Sequence, residues 1–457
     1  MRAYYDSSSN SLRDESLTKF FESNVKIKTW LKVEAALAKA QAEVGMIPKD
    51  AAEIINEKAN IKNIDLDEME RIKSEVGHGF VPFVKVFSKA CGDYAGKYVH
   101  FGSTTQNIQQ TSQLYILKNL TIEFKRYLAD ILENLSNLAT EHADTVMAGR
   151  THGRHAVPIT FGYKVSVWIY ELMNCIENLE DTEKRVYQAM MGGAIGAFNT
   201  MPEHGREIQK LVAKYLDMEE MKVPSRNINT HKIEYMFALS QIANVLHKMA
   251  EEVYYGGLEE MGEIQEPFKK GTIGSSTMPH KVNPKLAKGI ITNASKMYSL
   301  LETGYYSNCR VFEGDSSQYL LFDGLIDEAI ELMYEVLIRA KSLTSGMHID
   351  KERMLKNIEL DKGLLNIEHI MMELANVIGK DNAHSLTYDI AMKVKFEDED
   401  LFELLRKEEL LKDQSDEYLY SLLDARNYIG KCSELAIEIG REAKDKSIKL
   451  RELKSDL

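Results

Sequence analysis

The chain has 457 residues, of which 44% are hydrophobic and 28% charged, and a formal net charge of −13. That length admits two or three domains, or one long bundle with appended ends, and the acidic balance argues against nucleic acid, which needs a basic footprint. Four cysteines, Cys91, Cys175, Cys309 and Cys432, form no C-x-x-C pair; they exclude a disulfide framework or a zinc ribbon and fit a reduced, cytoplasmic setting.

The first residues, Met1-Arg2-Ala3-Tyr4-Tyr5-Asp6, lack the apolar core of a signal peptide. No uninterrupted apolar run reaches the roughly 18 residues that suggest a membrane span, so no membrane partner is expected. No proline falls between Pro82 and Pro158 and none follows Pro284, which leaves room for long helices. Leu117, Leu120, Phe124, Leu128, Ile131, Leu135 and Leu138 recur by threes and fours. So do Phe161, Val165, Trp168, Leu172, Cys175 and Leu179, and then Leu239, Ile242, Leu246, Met249 and Val253. Each series lines one helix face. Strand signals are weak throughout. The predicted fold is all-α, with a long helical bundle at its centre. Helical spacing resumes after about Lys395 (Leu401, Leu404, Leu405), and the charged ending Lys444 to Leu457 reads as a solvated or frayed helix.

Four polar islands interrupt the helices: Gly77-His78-Gly79-Phe80-Val81-Pro82, His100 to Asn107, Gly149 to Pro158, and Gly274-Ser275-Ser276-Thr277-Met278-Pro279-His280-Lys281-Val282-Asn283-Pro284. Each mixes glycine with His, Ser or Thr at an expected helix edge, where free backbone N–H groups favour anions. Converging, they would make a pocket rich in donors and poor in carboxylates, suited to a polycarboxylate substrate. None has the ligand spacing of a metal site, so no metal and no cofactor is expected. In the last island, glycine and serine permit motion while Pro279 and Pro284 limit the shapes the loop can close into.

That last island resembles the GSSxMPxKxNP loop of the fumarase/aspartase superfamily. His100-Phe101-Gly102-Ser103-Thr104-Thr105-Gln106-Asn107 looks like its second signature region, and Gly149-Arg150-Thr151-His152 is similar to the G-R-T-H block of its adenylosuccinate lyase branch. With Val33-Glu34-Ala35-Ala36-Leu37-Ala38 near the start, the likeness runs in order through about the first 300 residues of the chain. It implies three helical domains, at 1–97, 98–346 and 347–457, with a mobile catalytic loop at 271–284. It also implies a homotetramer whose active sites each draw on three subunits.

The implied reaction is an anti β-elimination from a succinyl group, releasing fumarate and an amine. The resemblance makes His152 the acid on the leaving nitrogen and a loop serine the base. It favours Ser275, although the adjacent Ser276 remains open. Thr104 and Gln106, with Ser103, Thr105 and Thr151, would hold carboxylates. Lys281 and Asn283, beside Met278, would face the developing charge, and His78 and His100 would orient the substrate. His155, His231 and His280 read as structural, or as supports behind the reacting groups, rather than as catalytic.

Two features depart from the adenylosuccinate lyase pattern. Its R-H-D block is here Gly77-His78-Gly79, and its S-S-x-x-R block is Ser316-Ser317-Gln318-Tyr319-Leu320, which lacks the arginine that would hold a phosphate. His78-Gly79-Phe80-Val81-Pro82 and Gly-Ser-Thr-Thr-Gln-Asn are closer to carboxymuconate cycloisomerases. These departures weaken the assignment to adenylosuccinate, which stays the leading substrate by family frequency, with an N-succinyl compound lacking a phosphate, a muconate cycloisomerisation, or a purely structural helical protein as alternatives.

Overall fold

The computed structural model describes residues 12–457 except Lys270, Thr272, Asp315 and Ser316. The alanine-rich run after Ser23 forms α1 (Ser23–Glu43), which buries Leu31, Val33, Leu37 and Ala40. Pro82 sits in the first turn of α2 (Val81–Ala90), where its missing N–H costs nothing. Phe80, Phe83 and Trp30 interlock edge-on between these helices, with ring centroids 5.0–5.4 Å apart.

The proline-free stretch that follows is one helix of 37 residues, α3 (Thr105–Glu141). After it come a hairpin of β1 (Val146–Thr151) and β2 (Arg154–Thr160), then α4 (Phe161–Val186), α5 (Thr230–Gly256), α6 (Lys285–Asn308) and α7 (Ser317–Gly346). Neighbours in this series pack on one another, and α7 closes the bundle by packing back on α3. The apolar stripes read from the sequence meet in this core. Leu120, Phe124, Leu128, Phe161, Trp168, Leu172, Leu239, Ile242 and Leu246 are all buried. No described helix is long and apolar enough to cross a membrane.

The C-terminal part of the chain begins with α8 (Lys351–Ile358). It has its own apolar cluster, in which Ile370, Leu374, Ile390, Leu401, Leu405 and Leu419 are buried. The ending differs from expectation. Instead of fraying, α9 (Cys432–Arg451) lies against α3 and α4. Ala436, Gly440, Ala443 and Ser447 are buried, and this small-residue face lets the backbones approach. Ser136 Oγ donates to Gly440 O at 2.6 Å, and a Cβ at Gly440 would stand 3.1 Å from Thr140 Oγ1. Arg126 donates to Leu453 O and Lys19 to Leu457 O, so the tail is tied down beyond the helix. Of the charges that suggested solvation, Lys446 pairs with Glu180 on α4 and Arg451 with Asp130 and Glu133 on α3.

Candidate active site

The first island begins where Gly77, at φ +62°, ends the preceding helix by donating to Lys73 O at 3.0 Å. The next turn is built by His78. Its Nδ1 accepts from the N–H groups of Phe80 and Val81, both at 3.1 Å. A ring nitrogen with two such donors carries no proton, so Nε2 carries it. His78 is exposed and presents that Nε2–H outward.

His100 opens the second island in a left-handed conformation, φ +59°, uncommon for a residue with a Cβ. Glu34 on α1 holds it there. Glu34 is 1% exposed, accepts His100 N–H at 3.1 Å, and stands 2.7 Å from His100 Nδ1. Phe80 packs on the same imidazole at 5.4 Å, which brings the first two islands together. Thr104 caps α3, with its N–H on Asn107 Oδ1 at 3.3 Å. Asn107 is buried and also takes the Gly193 N–H at 3.1 Å. Ser103, Thr104 and Thr105 stay half-exposed at the helix N-terminus. Gln106 does not join them. It is buried and donates to Gln110 Oε1 at 3.3 Å.

The third island is the hairpin, whereas the sequence reading placed it at a helix edge. Arg150 pairs with His155 and Thr151 with Arg154, leaving His152-Gly153 as a two-residue turn with φ +52° and +71°. Two consecutive positive φ angles are what such a turn needs to match strand twist, and here histidine occupies one of them. The register shifts between Ala148 and Arg150. Gly149 sits there because a Cβ would lie 2.7 Å from Val157 O. His152 is exposed at the tip. The neighbouring arginine is not free for a ligand: Arg150 makes a two-pronged ion pair with buried Glu263, at 2.6 and 3.0 Å.

In the fourth island Ser275 Oγ accepts from the N–H groups of Met278, at 3.1 Å, and Thr277, at 3.4 Å. Asn283 donates to Gly274 O at 2.8 Å and clasps the two ends of the loop. Gly274 is required at that clasp, since a Cβ would stand 2.2 Å from Lys281 O. Ser276, Met278 and Lys281 are exposed. Behind the loop, the Glu266 carboxylate accepts from the first three N–H groups of α6, those of Lys285, Leu286 and Ala287.

The islands thus fall into two pairs. The first two lie at the start of α3. The other two are each tied to the short segment 263–266, where Glu263 holds Arg150 of the hairpin and Glu266 holds the start of the helix that follows the loop. A 37-residue helix rises about 55 Å, so one chain does not bring all four together. A cleft of about 960 Å³ between Phe198, Arg206, Lys210, Lys214 and Lys222 includes none of the four islands.

A family model described as "Lyase" matches residues 6–297, and a second, "Adenylosuccinate lyase C-terminus", matches residues 363–438. The chain belongs to this lyase family. It is 35% identical to an adenylosuccinate lyase of Pyrococcus abyssi, over 92% of this chain and 94% of that one. It is 30% identical to an N-acetyl-S-(2-succino)cysteine lyase of Dickeya dadantii, over 90% of each. A fumarate lyase structure from Mesorhizobium sp. BNC1 superposes with a TM-score of 0.86 at 27% identity, covering 94% of this chain and 98% of that one. The all-α fold and the adenylosuccinate lyase-like character expected from the sequence both stand. Within this lyase, sequence reasoning missed Glu34, Glu263 and Glu266. Only Glu34 left a trace, as a carboxylate inside the apolar run Val33–Ala38.

Proposed function

We propose that this lyase eliminates fumarate from a succinyl-bearing substrate, with adenylosuccinate, giving AMP and fumarate, as the leading candidate. One observation carries the chemistry: two backbone N–H groups converge on Ser275 Oγ. A serine is a poor base because its alkoxide is unstable; donors already aimed at the oxygen lower that cost. Ser275 is accordingly the base and exposed Ser276 its neighbour in the loop. His152, presented at the hairpin tip, protonates the leaving atom. As the Cβ proton leaves, charge spreads onto the adjacent carboxylate. Lys281 meets it, with Ser103, Thr104, Thr105 and the α3 N-terminus holding the other carboxylate. His78 and His100 orient the substrate, and Asn283 shapes the loop.

The separation of the island pairs supports a site completed by other copies of the chain, a cytoplasmic homotetramer in our reading. Exposed Tyr305, Tyr306 and Phe312, the last 84% accessible, fit faces covered by such copies.

A non-nucleotide substrate is the second reading. The missing arginine of the Ser317-Gln318-Tyr319-Leu320 segment favours it, and Arg150, committed to Glu263, does not replace that arginine. Tyr4, Tyr5 and Ser316 lie outside the described residues. Purified protein incubated with adenylosuccinate, with AMP and fumarate quantified together, tests the first reading. Turnover of an S- or N-succinyl amino acid by a tetramer inert toward adenylosuccinate would establish the second. Light scattering that gives a monomer in active protein would sink the shared site.

A further inference from the structure

Arg150 and His155 are partners across the hairpin, one on each strand, two and three residues from His152. Each meets a carboxylate supplied from outside the hairpin. Glu263 takes the Arg150 guanidinium in two hydrogen bonds, and its Oε1 also accepts from Asn357 Nδ2 at 2.8 Å. Asn357 lies on α8, and the same amide donates to Met261 O at 2.8 Å. Arg353, one turn earlier, donates to the carbonyls of Met261 and Glu260. On the other strand His155 Nδ1 lies 3.5 Å from Asp361 Oδ2, and Asp361 Oδ1 is buried without a hydrogen-bond partner. The tip between these fixed points has no side-chain support of its own. Among the described residues His152 makes no hydrogen bond, and its ring direction follows from the turn and from where the strands are held.

We propose that Glu263 and Asp361, with Asn357 behind Glu263, are positioning residues that fix the hairpin so that His152 projects into the reaction site at one angle. A two-pronged arginine–carboxylate pair sets the plane of one strand. A second contact on the opposite strand stops the hairpin from rocking about the first. Asn357 and Asp361, from the C-terminal part of the chain, thereby act with Glu263 on the acid at the hairpin tip. A proton donor must be held within a fraction of an ångström of its target to be effective, and these carboxylates supply that constraint from behind. The proposal rests on the reading of His152 as the acid.

The test uses full-length Glu263→Gln and Asp361→Asn, each alone and combined with His152→Ala, with kcat and KM measured for fumarate release from the substrate identified above. Each single variant lowers kcat by about 10- to 100-fold with KM nearly unchanged, the scale expected for a displaced catalytic group. In the His152→Ala background the same substitutions cause no further loss, because the ring they position is gone. Equal losses in both backgrounds overturn the proposal. Should Glu263→Gln fail to fold, Asn357→Ala and Asp361→Asn carry the same comparison.

Hydrogen exchange gives a readout that needs no substrate. Amides of residues 146–160 exchange faster in Glu263→Gln while those of α3 and α4 keep wild-type rates. Unchanged hairpin exchange overturns the clamp. Wild-type turnover by His152→Ala overturns the assignment of the acid and with it the catalytic half of the proposal; the exchange data distinguish that failure from a failure of the clamp itself.

Discussion

Glu34 Oε1 stands 2.7 Å from His100 Nδ1 while Glu34 Oε2 takes the His100 backbone N–H at 3.1 Å. A single buried carboxylate on α1 thus sets both the ring and the left-handed backbone of the residue that opens the second island. Glu34→Leu removes both contacts and strands the His100 N–H. It should lower the unfolding free energy by about 1–3 kcal/mol, the cost of a buried donor without a partner. Urea denaturation of the two proteins measures it. A loss within experimental error would show that Phe80 packing alone holds His100.

Ser275 and Ser276 are adjacent yet differently placed. Ser275 Oγ faces two backbone N–H groups, whereas Ser276 is exposed. Ser275→Ala should lower kcat by about 100- to 10,000-fold, the range for loss of a positioned base, and Ser276→Ala by far less. Steady-state fumarate release compares them directly. The reverse ranking would transfer the base to Ser276.

Glu266 lies outside every polar island, yet its carboxylate accepts the three leading N–H groups of α6 directly behind the 274–284 loop. These donors have no partner inside the helix, and a negative charge there also meets the positive end of the helix dipole. Glu266→Ala should destabilise the chain by about 1–2 kcal/mol, as loss of a strong N-cap does. It should also raise proteolytic sensitivity within 273–284 before any global change. Limited proteolysis against thermal unfolding separates the two effects; uniform sensitivity along the chain would deny Glu266 a local role.

The helices were legible because their apolar residues recur every three or four positions and no proline interrupts them. Leu117 to Leu138 needed nothing beyond that rhythm to be placed on α3. The hairpin was hidden because β1 is short and carries Gly149 at a bulge. Its readable signal was His152-Gly153, a glycine-containing pair flanked by Thr151 on one side and Val157, Ile159 and Thr160 on the other. The α9 ending was misread because its outer charges outnumber a buried face made of Ala436, Gly440, Ala443 and Ser447, which hydropathy barely registers. The polar islands could be found as residue types in loops. Their carboxylate partners could not, since Glu34 and His100 are 66 residues apart and Arg150 and Glu263 113 apart. Whether the islands meet depends on the 37-residue length of α3, which sets two of them at each end.

His231, at the start of α5, is 6% exposed, and its Nε2 has no hydrogen-bond partner. Burial, then the nearby charges of Lys232 and Arg310, push its pKa down to about 3, against about 6.5 in an unfolded chain. The unfolded state therefore binds a proton that the folded state refuses between those two values. Stability is fully retained above pH 6.5 and is lost as the pH falls from there toward 3, at up to about 1.4 kcal/mol per pH unit from this one group. Carboxylates contribute slopes of their own, so the informative quantity is a difference. His231→Leu keeps the volume roughly constant and cannot take up the proton in either state. Urea unfolding at pH 7, 6, 5 and 4 should show the wild type losing stability more steeply than His231→Leu by about that amount per unit below pH 6. Parallel curves would mean that the imidazole is protonated in the folded chain, with the α5 N-terminus hydrated in a way its burial does not suggest.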